Sequence, residues 1–266
     1  MRFKDQLHRE IEVFQEPVRI VSLVPSQTEL LVDLGLSNRI VGVTKFCVHP
    51  EGFKTTKTIV GGTKQVHFDT IKLLRPDLII CNKEENTKEM VVTLENIAPV
   101  WVSDIYTIED TLKMIRQFGE LFSVKEKAEE LIRKIETELV NFQKYIHLRP
   151  IKKVAYVIWK NPYMVAGANT FIDHLLKLNN FENVFSKKPS RYPEVLEEDL
   201  KVADILLLAT EPFPFKNKDV LELKNTLTKE VRLVDGEYFS WYGSRLVNAL
   251  SYFKTLHYLL LLICIL

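Results

Sequence analysis

The chain has 266 residues, of which 46% are hydrophobic and 27% are charged, as in an ordinary globular protein with room for one large domain or two lobes. Its formal net charge of +1 gives no basic footprint, so nucleic acid is not an expected partner. The three cysteines, Cys47, Cys81 and Cys264, are widely spaced, and their odd number indicates neither a zinc site nor a disulfide framework.

Short apolar segments alternate with helical patterns in the first half of the chain. Strands are predicted at residues 19–24, 40–43, 58–60, 77–81 and 100–102, and helices at 29–34, 68–74, 85–97 and 107–122. Ser26 and Glu29 have the spacing of a capping box at the first helix, and Gly35 is placed to end it. This alternation is typical of a mostly parallel sheet that is covered by helices on both faces.

One long uninterrupted helix is predicted at residues 125–146, which contain no glycine or proline. At about 1.5 Å per residue it would be about 33 Å long. A second set of elements follows, with strands at residues 154–159, 204–208 and 231–234 and helices at 170–178, 196–202, 218–227 and 243–256. Asn169 is the predicted N-cap of the helix at 170–178.

The two halves repeat one pattern, in which a helix and a turn lead to an aspartate and a buried strand, at Asp77 and again at Asp204. We therefore predict an α/β fold of two Rossmann-like lobes, each with a central, mostly parallel sheet, joined by one long rigid interlobe helix. The predicted domains are an N-terminal lobe at 1–123, the helix at 124–149 and a C-terminal lobe at 150–266. A ligand would lie in the cleft between the lobes, at the carboxyl ends of the strands.

Both ends of the chain bear on its location. The charged N-terminal region has no apolar core of the kind that marks a secretion signal, so the sequence alone leaves a cytoplasmic location open. Residues 258–266 are all apolar but are far fewer than the ~20 that span a bilayer. They predict a last helix packed on the core in preference to a membrane anchor.

Catalytic motifs do not stand out. The chain lacks a phosphate-binding glycine loop, a GxSxG elbow and an HExxH helix, and no third partner can be named for Cys47 and His49. The residues therefore favour no catalytic chemistry, and we do not predict an enzyme. His49 and His67 could each ligate a metal, although a hydrogen-bonded loop histidine is the interpretation that we favour.

An ordered set of segments resembles the class III substrate-binding proteins of ABC importers. The matching segments are residues 19–29 (RIVSLVPSQTE), 40–44, 74–80, 125–146, 184–185 and 191–195. The resemblance covers residues 10–256, and within the family the chain is most similar to the branch that binds vitamin B12, or cobalamin. The other well-known branch binds iron–siderophore complexes.

The resemblance implies a monomer that captures a metal chelate, delivers it to the permease subunits of an ABC importer and has no cofactor of its own. It implies a periplasmic or membrane-associated location. By position it gives the candidate ligand contacts Phe46, His49, Thr63, Lys64, Tyr163, Met164, Tyr192, Glu237, Trp241 and Tyr242. The residues themselves add the basic side chains of Arg191 and Arg245 to these candidates. It also implies that Asp69 and Glu198, one in each lobe, dock the permease. Thr63 replaces a tryptophan and Trp241 an arginine of the vitamin B12 branch.

Aromatic residues dominate the candidate contacts. The segment at residues 239–245 (FSWYGSR) carries three aromatic side chains in four residues, which suits a large, partly flat ligand, or alternatively a hydrophobic plug over the core. Arg191 and Tyr192 either combine ring stacking with a charge or form a turn before Pro193.

Four hypotheses follow. The first ligand is a corrinoid such as cobalamin, and the second is a ferric siderophore or haem. The third hypothesis is a cytosolic chelatase-like enzyme that handles tetrapyrroles, and the fourth is a receptor for bare zinc or manganese with His49, His67 and Glu237 as ligands. Siderophores are often anionic and call for basic side chains, but the basic residues among the cleft candidates are only Lys45, Lys64, Arg191 and Arg245. We therefore favour the corrinoid.

Overall fold

The computed structural model describes residues 1–262, which form two compact units. The first unit comprises Met1–Glu136 together with Tyr242–Arg245, and the second comprises Thr137–Trp241 together with the residues from Leu246 onward. Cys264 and the end of the apolar C-terminal segment lie outside the described residues.

A five-stranded parallel sheet is the centre of the first unit, with the strand order β5-β4-β3-β6-β7. The strands of this unit are β1 (Arg2–Lys4), β2 (Glu10–Glu12), β3 (Ile20–Ser22), β4 (Ile40–Val43), β5 (Thr58–Ile59), β6 (Leu78–Asn82) and β7 (Val100–Ser103). Its helices are α1 (Pro25–Asp33), α2 (Phe68–Leu73), α3 (Lys88–Leu94) and α4 (Ile108–Leu121), and 3-10 turns cover Ser37–Arg39 and Phe53–Thr56. The antiparallel pair of β1 and β2 was not predicted.

The strand order singles out one position in this sheet. From β3 the chain builds β4 and β5 on one side, and then returns to place β6 and β7 on the other. The order therefore reverses at β3, whose residues are all buried, as are those of β6. In open parallel sheets, ligands bind outside the carboxyl ends of the strands at such a reversal.

The long helix α5 (Lys125–Ile146) has the predicted bounds. Its buried side chains recur at helical spacing, at Ala128, Ile132, Ile135, Phe142 and Ile146. Within α5, the residues up to Glu136 belong to the first unit, and the residues that follow, starting at Thr137, belong to the second unit.

The second unit contains a six-stranded sheet in the order β11-β9-β8-β12-β13, with β10 also paired to β8. Its strands are β8 (Lys152–Trp159), β9 (Tyr163–Val165), β10 (Phe181–Asn183), β11 (Glu194–Val195), β12 (Ile205–Ala209) and β13 (Glu230–Val234). Its helices are α6 (Phe171–Leu178), α7 (Asn217–Leu227), α8 (Glu237–Ser240) and α9 (Leu246–Leu262), with a 3-10 turn at Glu197–Val202. β8, β10, β12 and β13 pair in parallel, whereas β9 and β11 are antiparallel additions. The predicted α/β fold, with a mostly parallel sheet in each lobe, is confirmed.

The repeated aspartate has the same structural role in both sheets. The Asp77 carboxylate accepts from the Arg19 N–H at 2.9 Å, and the Asp77 N–H donates back to the Arg19 carbonyl at 2.8 Å. Asp204 makes the equivalent pair with Lys153, at 3.0 and 2.8 Å. Each aspartate thereby fixes where its strand begins relative to the neighbouring central strand.

Three predicted helix starts are wrong. α1 begins at Pro25 without a side-chain cap, so the capping box of Ser26 and Glu29 does not form. The N-cap of α6 is Thr170 and not Asn169, since the Thr170 hydroxyl accepts from the Asp173 N–H at 3.0 Å. The last helix begins at Leu246, because Gly243 has a φ of +116°. The predicted end of α1 is confirmed by the left-handed Gly35, with a φ of +83°.

Within residues 1–262, no helix has both the length and the apolar character that are needed to cross a membrane.

Candidate functional site

Two loops lie side by side at the carboxyl edge of the first sheet, one after β4 and one after β5. The Lys45 N–H donates to the Gly61 carbonyl at 2.9 Å and joins them. A Cβ at Gly62 would lie only 3.2 Å from Cε2 of Phe46, so the Phe46 ring packs directly on the glycine backbone. Phe46 is nevertheless 48% exposed, and the Lys45 ammonium lies 5.1 Å from its ring centroid. This edge therefore offers one broad aromatic face beside a positive charge.

Asn86 holds the loop that carries Thr63 and Lys64. Its amide donates to the Thr63 carbonyl at 2.8 Å, and its side-chain oxygen accepts from the Asn82 N–H at 2.8 Å. The Lys64 ammonium donates to the Glu84 carbonyl at 2.5 Å. Neither asparagine was predicted, although Asn82 ends the buried strand β6 and Asn86 lies in the loop that follows it, which was an available signal.

Cys47 is buried below the same edge. Its sulfur lies 3.2 Å from the Thr28 hydroxyl and 3.3 Å from the Thr44 hydroxyl, and burial raises the pKa of the thiol. A buried thiol with a raised pKa is poorly suited to nucleophilic chemistry. His49 follows in the same loop and is half-buried.

The segment Tyr242–Arg245 belongs to the first unit and packs on α1. The Tyr242 hydroxyl accepts from the Gln27 amide at 3.3 Å, and the Arg245 guanidinium pairs with the Glu29 carboxylate at 2.6 Å. Burial raises the pKa of the Tyr242 hydroxyl well above its usual value. Tyr242 and Arg245 therefore have structural contacts in the fold.

In the second unit, the loop after β13 is built around a partly buried carboxylate, that of Glu211. Oε1 of Glu211 accepts from the Trp241 indole N–H at 2.9 Å and from the Ser240 hydroxyl at 2.6 Å. Phe239 is fully buried, with its ring centroid 5.0 Å from that of Tyr156. Trp241 is 7% exposed, whereas Glu237 remains half-buried. Part of this aromatic segment thus fills the core.

Strand alternation separates Tyr163 from Met164. Tyr163 is buried in the core cluster of the second unit, and burial raises its pKa to about 12. Met164 is half-buried and pairs with Glu194 of β11. Arg191 and Tyr192 are half-buried just before this strand, with the guanidinium 6.0 Å from the ring centroid.

A partly exposed aromatic pair of the second unit was not predicted. Trp159 ends β8 and is 39% exposed, and its ring centroid lies 5.5 Å from that of Phe213 in an edge-to-face arrangement. A tryptophan at the carboxyl end of a predicted central strand was the signal that could have identified it.

The remaining candidates lie on exposed helical turns. Asp69 lies in the first turn of α2, and Glu198 lies in the 3-10 turn before β12, where its carboxylate pairs with Lys201 at 2.6 Å. Among the side chains of residues 1–262, no three of His, Cys, Asp or Glu form a group that could hold a metal ion.

The profile of the family described as periplasmic binding protein matches residues 20–207. The chain belongs to this family. A substrate-binding lipoprotein of an ABC transporter from Bacillus subtilis, YvrC, is 26% identical over 67% of the chain, a match that spans 59% of that protein's length. The vitamin B12-binding protein of Pectobacterium atrosepticum is 24% identical, over 88% of the chain and 86% of its own length.

Solved structures share the family fold. The periplasmic vitamin B12-binding protein of Vibrio cholerae has a TM-score of 0.78 at 17% identity, over 90% of this chain and 96% of that one. A periplasmic haem-binding protein from Pseudomonas aeruginosa has a TM-score of 0.79 at 22% identity, over 89% and 91%.

Proposed function

We propose that this chain is the substrate-binding component of an ABC importer and that its ligand is a corrinoid of the vitamin B12 type. The observation that carries the proposal is the extent of one match: the vitamin B12-binding protein of Pectobacterium atrosepticum aligns with 88% of the chain. An alignment of this length necessarily includes most of both units.

The exposed side chains suit such a ligand. A corrinoid has a broad ring with an amide-rich periphery, so it calls for aromatic or apolar faces and for hydrogen-bonding groups around them. Phe46 supplies a half-exposed ring in the first unit, and Met164 and Tyr192 supply partly accessible apolar surface in the second. His49, Thr63, Lys64, Arg191 and Glu237 are the proposed polar contacts. We propose supporting roles for Tyr163, Trp241, Tyr242 and Arg245, which are mostly buried.

The side-chain charges near the proposed site favour a ligand whose periphery is neutral. The Arg245 guanidinium already pairs with Glu29, and the loops after β12 and β13 contribute the carboxylates of Glu211, Asp235 and Glu237. Like charges disfavour an anionic ligand at this edge. Amide groups of a corrinoid can instead donate to carboxylate oxygens.

Haem is the second candidate. His49 and Tyr192 are half-buried, and imidazole and phenolate are side-chain groups that ligate haem iron. Haem also carries two carboxylates, which need cations close by. Because the acidic residues gather at the edge of the second sheet, we rank haem below a corrinoid.

Delivery to a permease is part of the proposal. Asp69 and Glu198 are exposed, as docking to basic permease residues requires. The proposed location is periplasmic or membrane-associated, in keeping with the lipoprotein from Bacillus subtilis. We also propose a monomer, without a resident cofactor and without catalytic activity.

Titration calorimetry tests the ligand. The purified chain is titrated in parallel with cyanocobalamin, dicyanocobinamide, haemin and ferrichrome. We expect saturable heat for the two corrinoids and none for ferrichrome. Saturable heat for haemin or ferrichrome alone, with none for either corrinoid, would overturn the corrinoid proposal.

A further inference from the structure

Glu211 is a partly buried acid two residues beyond the end of β12, and it joins the loop after β13. Its Oε1 atom accepts two hydrogen bonds, from the Ser240 hydroxyl at 2.6 Å and from the Trp241 indole at 2.9 Å. Both donors lie at the end of a short stretch that contains α8, here called the α8 segment (residues 236–241). One oxygen atom therefore fixes the carboxyl-terminal end of this segment.

The start of the α8 segment is also built on Glu211. A Cβ at Gly236 would lie 2.6 Å from Cγ of Glu211 and 3.0 and 3.1 Å from its backbone nitrogen and oxygen, so only glycine fits there. The Gly236 N–H donates to the Thr210 hydroxyl at 3.0 Å. Residues 210 and 211 thus contact the segment at both of its ends.

Keeping an ionised carboxylate in this position costs free energy. Burial raises the pKa of Glu211, the nearby charges of Glu237 and Asp235 act in the same direction, and the bonds from Ser240 and Trp241 oppose them. An ionised carboxylate only accepts, whereas an amide could turn and present donors. The acid therefore specifies that the hydroxyl and the indole N–H both point toward it, which a packed apolar side chain could not do.

We propose that Glu211 is a positioning residue for ligand binding: its carboxylate fixes the orientation of the Trp241 indole and of the α8 segment, which presents Glu237. The proposal rests on the proposed function, which takes Glu237 as a ligand contact and gives Trp241 a supporting role. Glu211 itself is not assigned a ligand contact.

The test measures the NMR signal of the Trp241 indole and the affinity for cyanocobalamin separately. In ¹⁵N-labelled full-length protein, Trp241→Phe identifies which of the three tryptophan indole signals belongs to Trp241. Glu211→Ala is expected to move that signal toward the position of an indole without its hydrogen bond. It should also raise the Kd for cyanocobalamin about ten-fold, the effect of losing a hydrogen bond to a charged group. Glu211→Gln, which keeps an acceptor, should stay within about three-fold of wild type.

A second variant separates positioning from general damage. Asp219, on α7, is a buried carboxylate of the same unit, and it pairs with Lys160 at 3.1 Å. Asp219→Ala should lower the urea midpoint but change neither the Trp241 signal nor the Kd. In a Trp241→Phe background, Glu211→Ala should cost less affinity than it does in wild type, because only the bond from Ser240 remains to be lost.

Two results would overturn the proposal. One is a folded Glu211→Ala protein with an unmoved Trp241 signal and a wild-type Kd. The other is a loss of affinity that is equally large in the Trp241→Phe background. If the wild-type chain binds no corrinoid, the proposed function fails, and the indole signal still reports whether Glu211 positions the tryptophan.

Discussion

Arg245 and Glu29 form an ion pair with two hydrogen bonds in the first unit. The guanidinium Nε donates to Oε2 at 2.9 Å, and Nη2 donates to Oε1 at 2.6 Å. Burial raises the pKa of Glu29, and Arg245 opposes that shift. The pair ties the segment Tyr242–Arg245 to α1, and beside it the backbone of Gly243 lies against Leu30.

Arg245→Met should lower the free energy of unfolding by about 3 kcal/mol, because it leaves the Glu29 carboxylate buried without its partner. Urea denaturation at pH 7 measures the loss. The double variant with Glu29→Gln should regain part of it, since the unpaired charge is gone. A wild-type urea midpoint for Arg245→Met would show that the pair does not anchor the segment.

The repeated aspartates give a second prediction. Asp77→Ala and Asp204→Ala should each lower the free energy of unfolding by about 1–2 kcal/mol, because each removes an acceptor from a backbone N–H at the start of a central strand. Asparagine at either position keeps an acceptor and is the matched control. Equal thermal unfolding midpoints for the Ala and Asn variants at both sites would contradict this role.

These aspartates also show why the fold was predictable. The sequence repeats the local pattern that starts β6 and β12, and the long helix α5 has continuous apolar periodicity without breakers. The antiparallel strands β9 and β11 were missed, because they have three and two residues and are defined by pairing with each other and with β8. Pairing between distant segments leaves no mark in local periodicity.

His257 gives a prediction on pH. Burial, with a smaller effect of the Arg149 charge, lowers its pKa to about 4, and its ring stacks on Phe181 and contacts Tyr145 and the Asn179 side chain. The imidazole is therefore neutral in the folded protein between about pH 4 and pH 6.5, where the unfolded chain already binds a proton. The stability contributed by His257 is complete above about pH 6.5, decreases progressively below that pH and is fully lost as the pH falls through about 4.

Urea denaturation at pH 7 and pH 5 measures this effect. The wild-type protein should lose about 1–2 kcal/mol more than His257→Gln between the two values. An identical loss in both proteins would mean that His257 is not the group responsible.

Phe46 is the most direct mutational test of the aromatic surface in the first unit. Phe46→Ala should weaken cyanocobalamin binding by about 1–3 kcal/mol, as expected for an aromatic contact, with little change in the urea midpoint because the ring is half-exposed. Phe14→Ala is the matched control, since Phe14 belongs to the same unit and is 89% exposed. Equal affinities of the two variants would remove Phe46 from the site.

The candidate site was less predictable than the fold. Phe46 lies in the loop after β4 and Trp241 follows β13 and α8, yet one is half-exposed and the other mostly buried against Glu211. Sequence position indicates the edge of the sheet, but packing decides which side of a ring remains accessible. Asn82, Asn86 and Glu211 act through hydrogen bonds to residues that are distant in the sequence or to the backbone, so periodicity could not reveal them.

The most direct test of the proposed function is co-elution of the full-length chain with cyanocobalamin on a sizing column. The proposed function predicts that the red chromophore elutes with the protein peak, in a one-to-one ratio at saturation, and that excess haemin does not displace it. A protein peak that stays colourless at saturating cyanocobalamin, and that takes up haemin under the same conditions, would contradict it.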